Sequence, residues 1–169
     1  MTSAHDDRVM ITPVSTRPQT TTRLSCLGLQ AWTLVMVAFG LAIAAVPWVR
    51  GDLFSWIGTG DAGHLDGFPE QARDYLAFNQ AVLGAVTAGL GLGAFWLARV
   101  PVARGERWGW IAIVTTLGFW FLVDNVASLA TGYPRNVAFN AVLVAPLVPL
   151  LWGSLPGRGD QRVDLGEVL

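Results

Sequence analysis

Four long runs of apolar residues, separated by shorter polar segments, dominate the pattern of this chain. The runs cover residues 24–49, 76–100, 108–131 and 136–155. Each is comparable to the roughly 20 apolar residues that carry a helix across a bilayer. The pattern therefore predicts an all-α fold, an integral membrane four-helix bundle that occupies residues 24–155.

The segments outside these runs are polar. Residues 1–23 and 156–169 show no period that would bury a face, and we expect disordered tails. Residues 50–75 form a long connection, the outer loop, whose first part suits a short amphipathic element in the headgroup region. Its second part is acidic and interrupted by glycines, which favours a solvated loop over a metal site. The first run imitates a signal peptide, but it exceeds the roughly 7–15 apolar residues usual there, which favours a retained helix.

Composition agrees with the membrane class. The chain is 53% hydrophobic and only 14% charged, whereas soluble domains carry about 25% charged residues. The net charge of −1 gives no basic surface for nucleic acid. The apolar composition instead makes the lipid bilayer the expected partner. The single cysteine, Cys26, excludes an internal disulfide, and no motif calls for a cofactor or a metal.

The arginines predict the orientation of the spans. By the positive-inside rule, the side with more arginines faces the cytoplasm. That side holds both tails and the 101–107 turn, which predicts a multi-pass protein of a bacterial inner (cell) membrane with cytoplasmic termini. The arginines on this side are Arg8, Arg17, Arg23, Arg99, Arg104, Arg107, Arg158 and Arg162, against Arg50, Arg73 and Arg135 on the other.

A short internal similarity suggests a repeat. AFNQAVL at 77–83 recurs as AFNAVL at 138–143, in both cases where a span begins on the outer side. Two helical hairpins related in this way would be parallel repeats, with Asn79 and Asn140 at equivalent positions. Chance similarity between apolar segments is the alternative explanation.

Polar residues inside the spans gather in one outer layer. Asp124 lies about 8 Å from the outer end of the third span at 1.5 Å per residue. A carboxyl at that depth is costly without a partner. The charged candidates are Arg135, Arg50 and Arg73, and the neutral ones are Asn140 and Asn79. The predicted layer contains Asp124, Asn125, Asn79, Gln80, Asn140, Asn136 and Arg135.

This layer has two interpretations. In the first, the amide side chains form hydrogen bonds between helices, worth on the order of 1 kcal/mol each. The protein is then non-enzymatic, with a structural or accessory role in a membrane complex. In the second, the layer is an outward-facing pocket around Asp124, roofed by the outer loop, that binds or carries a small lipophilic or cationic ligand. An enzyme is disfavoured, because the spans contain no nucleophile and base pair and no histidine cluster.

The second span also carries small residues four apart, at Ala81, Ala85, Gly89 and Gly93. Such a stripe lets another helix approach closely. We expect it to be a helix-packing face, and it is a candidate surface for a homo-oligomer or for another membrane protein.

The second half of the chain resembles known families. Its features are Trp110, the segment FWFLVDNVASL, Gly132, Asn136 and the segment FNAVLVAPL. Together they resemble the BphX-like and DoxX-like small bacterial four-helix membrane proteins. The resemblance implies a four-span bundle with few charged residues in the membrane, and it carries over no activity. The thiol or respiratory association of DoxX-like proteins finds no cysteine pair here.

Overall fold

The computed structural model describes residues 20–157, and this part of the chain is helical, with no strand. The chain also contains two π-helical turns, one over Val49–Leu53 and one over Ala98–Val102. Most of the two predicted tails, residues 1–19 and 158–169, lies outside the described residues. The helices are α1 (Thr20–Ala45), α2 (Phe54–Thr59), α3 (Glu70–Leu97), α4 (Arg107–Ala130), α5 (Pro134–Val144) and α6 (Leu147–Gly153).

The described residues confirm the all-α class, and four helical stretches among them are long and apolar enough to cross a membrane. They are Thr22–Ala45, Glu70–Val102, Arg107–Ala130 and Pro134–Gly153. The second begins at Glu70, six residues before the predicted 76. Residues 70–75 are mostly polar but include good helix formers such as glutamate, glutamine and arginine, so they extend the helix without extending the apolar run.

The fourth crossing is broken into α5 and α6 at Ala145 and Pro146. Proline has no N–H to donate and its ring crowds the preceding turn, which accounts for the break at Pro146. Two indole N–H groups from other helices bind carbonyls on either side of the break. Trp32 donates to the Leu143 carbonyl at 3.2 Å, and Trp110 donates to the Leu151 carbonyl at 2.9 Å.

Helices α1 and α3 pack backbone to backbone through glycines. A Cβ placed on Gly84 would lie 2.6 Å from the Ala44 nitrogen and 2.6 Å from the Gly40 oxygen. A Cβ placed on Gly40 would collide in turn with the backbone of Ala88. Only glycine allows this approach at both positions, so the crossing depends on the absence of two side chains.

The predicted stripe of small residues on α3 lies on a different face from this crossing. Ala81 is half-buried, whereas Ala85, Gly89 and Gly93 are exposed. A Cβ placed on Gly89 or Gly93 would meet nothing within 4 Å. No described helix packs closely on these two glycines, which corrects the expectation of a packing face within the chain. A role for the stripe against a second chain stays a prediction.

A cluster of buried apolar side chains fills one end of the molecule. It joins the start of α1, the π-helical turn that follows α3, the first half of α4 and the start of α6. The opposite end, where α2 sits beside the start of α3 and the end of α4, holds the polar residues; we call it the α2 end. The apolar cluster consists of Cys26, Leu29, Ala98, Val102, Ile113, Leu117 and Leu147.

Candidate functional site

A tight turn between α4 and α5 brings polar residues of both helices together. Gly132 has a φ of 85°, a conformation that glycine adopts without steric cost. Pro134 follows at the first position of α5, where its missing N–H costs nothing. The chain therefore reverses direction, and the first two turns of α5 lie beside the last turns of α4.

Asp124 accepts hydrogen bonds from two asparagine side chains of α5. Nδ2 of Asn136 lies 3.0 Å from Oδ2 of Asp124, and the same nitrogen donates to Oγ of Ser128 at 2.8 Å. Nδ2 of Asn140 also donates to Oδ2 of Asp124, and it donates to Oδ1 of Asn125 at 3.0 Å. Each asparagine nitrogen thus uses both of its hydrogens, as buried amides generally must.

This arrangement brings together four of the seven residues predicted for the polar layer: Asp124, Asn125, Asn136 and Asn140. Asn140 is the most enclosed of them, with 2% of its surface exposed. Hydrogen bonds to a charged group contribute about 1.5–3 kcal/mol each, so this cluster also ties α4 to α5.

Two other predicted members point elsewhere. Asn79 is exposed and donates to the Tyr75 carbonyl of its own helix at 3.0 Å. Its surroundings therefore differ from those of Asn140, and the equivalence that the repeat predicts is not observed for this pair. Arg135 is exposed, with its guanidinium carbon 5.7 Å from the centre of the Trp56 ring.

No arginine among the described residues forms an ion pair with Asp124. Arg135 lies over Trp56, and Arg50 donates to the Ala44 carbonyl at 3.1 Å. Arg73 is exposed and, together with Gln80, lines a depression of about 430 Å³. Of the partners expected for Asp124, the amide of Asn140 is the one observed, and Asn136 joins it.

Asp124 lines a partly open cavity of about 490 Å³ at the α2 end. One face of α2 forms its roof, through Phe54, Ser55, Gly58 and Thr59. The walls come from residues 64–68, the start of α3, the end of α4 and the start of α5. The side chains of most chemical interest are Phe54, Phe68, Tyr133, His64, Gln80, Asp124, Ser128 and Asn136.

Two acceptor oxygens at this cavity receive no hydrogen bond from the described part of the chain. Oε1 of Gln80 is buried and has no hydrogen-bond partner within residues 20–157. Oδ1 of Asp124 receives no hydrogen bond from that part of the chain, because both asparagines donate to Oδ2. Gln80, the seventh predicted residue of the layer, thus lines the same cavity as Asp124 without bonding to it.

Sequence reasoning missed several lining residues. Ser128 follows Asp124 by four residues, which places the two on one helix face, so this contact could have been predicted. Ser55 and Thr59 on α2 have the same spacing. Phe68 and Tyr133 belong to turns and carry no such signal.

The groups that line the cavity determine which contacts it can make with a ligand. Within the described range, no three His, Cys, Asp or Glu residues lie close enough together to hold a metal ion. The cavity offers one carboxyl, one buried amide oxygen and several aromatic rings. These groups can balance a positive charge and accept hydrogen bonds.

Comparison with known proteins gave no relative. No protein-family model, no curated protein and no solved structure matches the chain. The resemblance to BphX-like and DoxX-like proteins therefore stays a prediction, and the function has to be inferred from the site itself.

Proposed function

We propose that this protein binds a small organic cation with an apolar body in the cavity beneath α2. In this proposal the chain is a four-helix bundle of a bacterial cell membrane with cytoplasmic termini, so the cavity opens to the outside. The observation that carries the proposal is that Asp124 lines the cavity without a cationic partner among the described residues. A cationic ligand would supply the charge that the protein does not.

The remaining lining supports the same class of ligand. Gln80 presents a buried oxygen without a donor, which an ammonium N–H can satisfy. Phe54, Phe68 and Tyr133 add aromatic rings, and an organic cation within about 6 Å of such a ring gains roughly 0.5–2 kcal/mol. The cavity is within the usual size range of small-molecule sites, about 300–1,000 Å³.

An anionic ligand fits this lining poorly. No arginine lines the cavity, and the chain contains no lysine. An anion without hydrogens to donate would leave the free oxygens of Asp124 and Gln80 unsatisfied, at a cost of about 1–3 kcal/mol for each oxygen.

The structural or accessory role is the second candidate, and the amide cluster favours it. Both hydrogens of each asparagine nitrogen are already used inside the protein. The cluster would therefore hold α4 against α5 with no ligand bound. The two candidates differ in what happens when the charge of Asp124 is removed and its shape is kept.

We expect Asp124→Asn to weaken the binding of benzyltrimethylammonium at least tenfold. The asparagine oxygen can still accept from Asn136 and Asn140, so the fold should persist while the negative charge is lost. A tenfold change corresponds to about 1.4 kcal/mol, within the range for a charge-assisted contact. Isothermal titration calorimetry on protein in lipid nanodiscs measures the affinity, with empty nanodiscs as the blank.

Asp74→Asn is the matched control variant. Asp74 is an exposed carboxyl that does not line the cavity; it lines the 430 Å³ depression, which adjoins the cavity at Leu65 and Gln80. It should change the affinity less than twofold. Neopentylbenzene, which has the same shape without the charge, should bind much more weakly than the cation. Equal binding of the two probes, or an unchanged affinity in Asp124→Asn, would reject the proposal and leave the structural or accessory role.

We expect Gln80→Met to separate stability from binding. Methionine has a similar shape and removes a buried oxygen that lacks a partner, so the free energy of unfolding should stay level or rise by about 1 kcal/mol. The affinity for benzylammonium, whose N–H groups can donate to the Gln80 oxygen, should fall at the same time, whereas that for benzyltrimethylammonium, which has no N–H, should stay the same. Gln71→Met, at an exposed position on the same helix, should alter neither quantity. A lower free energy of unfolding in Gln80→Met would contradict the idea that the Gln80 oxygen is unpaired until a ligand binds.

A further inference from the structure

A second depression, of about 340 Å³, lies on the opposite side of α2 from the cavity. Trp56 and Ile57 of α2 form one wall, and Arg135, Ala138, Phe139 and Val142 of α5 form the other. We call it the α2–α5 groove. None of its lining residues lines the cavity of Asp124, so the two sites are independent.

The groove is charged at one end and apolar along the rest. Its α5 residues are spaced by three and four positions, which places them on one face of the helix. Seven residues separate Arg135 from Val142, a length of about 10 Å along the axis. Arg135 stands near the start of the fourth candidate span, and Val142 lies well inside it. The groove therefore runs from the membrane surface at the α2 end into the hydrocarbon region.

Arg135 is held in place by Trp56, but its guanidinium has no anionic partner within the described part of the chain. Its guanidinium lies over Trp56, and Gly60 supports it from below. A Cβ placed on Gly60 would lie 2.7 Å from Cζ of Arg135, so a larger residue there would displace the guanidinium. No described carboxyl comes within ion-pair distance, and the five N–H donors of the guanidinium have no described acceptor.

We propose that the α2–α5 groove binds one anionic phospholipid. The phosphodiester accepts hydrogen bonds from Arg135, and one acyl chain lies along Ile57, Ala138, Phe139 and Val142. Charge complementarity selects this occupant: arginine is the side chain best suited to pair with a phosphate through two parallel hydrogen bonds. Trp56 adds an indole ring at the depth where tryptophan prefers to sit in a membrane.

The acyl chain distinguishes this site from general attraction to a charged surface. Ile57 is buried and Phe139 half-buried, and Val142 is exposed at the far end. A soluble phosphate compound would meet the arginine alone and leave the apolar groove uncovered. A phospholipid covers both parts at once.

The test uses native mass spectrometry of the full chain, released from micelles with phosphatidylglycerol or phosphatidylcholine of identical acyl chains. We expect the wild type to retain phosphatidylglycerol preferentially, and Arg135→Gln to lower that retention at least fivefold. Arg73→Gln is the control, because Arg73 is an exposed arginine at the same end of the molecule but outside the groove. It should retain phosphatidylglycerol as the wild type does.

A second variant tests the acyl chain with the charge kept. Ala138→Trp fills the groove and should lower phosphatidylglycerol retention although Arg135 is present. Excess glycerol 3-phosphate should not displace the lipid. The proposal is overturned if Arg73→Gln loses as much lipid as Arg135→Gln, if the filled groove binds normally, or if glycerol 3-phosphate competes. Arg135→Gln should bind benzyltrimethylammonium normally, so this result and that for the cavity stand separately.

Discussion

Gly84→Val is expected to destabilise the protein by about 3 kcal/mol, the upper part of the range for an overpacked contact. The new side chain would start 2.6 Å from two backbone atoms of α1, the Ala44 nitrogen and the Gly40 oxygen. Backbone atoms cannot rotate away as a flexible side chain can, so α1 and α3 would have to separate. Reversible unfolding in mixed micelles with increasing dodecyl sulfate, followed by near-ultraviolet circular dichroism, measures the change.

Gly89→Val provides the matched control on the same helix. A Cβ there meets nothing within 4 Å, and the position is exposed. Its free energy of unfolding should change by less than about 0.5 kcal/mol, as for most exposed substitutions. Similar losses for both variants would mean that the 84–40 crossing is not the contact that holds the helices together. A loss of self-association in Gly89→Val alone would support the predicted stripe as an interface between chains.

The second large effect is expected for Asn140→Leu, about 2–3 kcal/mol of destabilisation. Asn140 is 2% exposed and donates to Asp124 and Asn125, so leucine would leave both acceptors without this donor. Asn79→Leu, in the matching position of the sequence similarity, should cost less than about 0.5 kcal/mol because Asn79 is exposed. The same micelle unfolding assay measures both.

A double-mutant cycle shows whether the cost comes from Asp124. Combined with Asp124→Leu, Asn140→Leu should cost less than it does alone, because no buried carboxyl remains to be satisfied. Strict additivity would mean that the short contact between the two side chains contributes nothing. Equal costs for Asn140→Leu and Asn79→Leu would instead favour the parallel repeat.

The length of the apolar runs was sufficient to predict the four spans. The bend at Pro146 was also predictable, because it follows from one residue's missing N–H. The face of α3 that packs against α1 was not predictable in this way. This helix carries two sets of small residues, and in a membrane both the buried and the lipid-facing sides are apolar, so the hydrophobic pattern does not distinguish them.

The polar site was only partly predictable, because the apolar pattern gives the depth of a residue along its helix but not the direction of its side chain. Depth along the spans placed Asp124, Asn136 and Asn140 in one layer, and the structure joins them. Depth says nothing about rotation around each helix axis. Depth therefore did not predict that Asn79, at a similar depth, faces outwards. It also did not predict that Arg135 lies over Trp56 instead of pairing with Asp124.

The break in the fourth candidate span affects whether a ligand could pass through the protein from one end to the other. Straightening it would separate the Trp32 and Trp110 indoles from the carbonyls of Leu143 and Leu151. Each polar group left unsatisfied in hydrocarbon costs several kcal/mol, so these two hydrogen bonds would oppose straightening of the helix. Beyond the break, the buried apolar cluster blocks the far end. A cation bound as proposed above would leave by the opening through which it arrived, as in a receptor or a reservoir and not as in a channel.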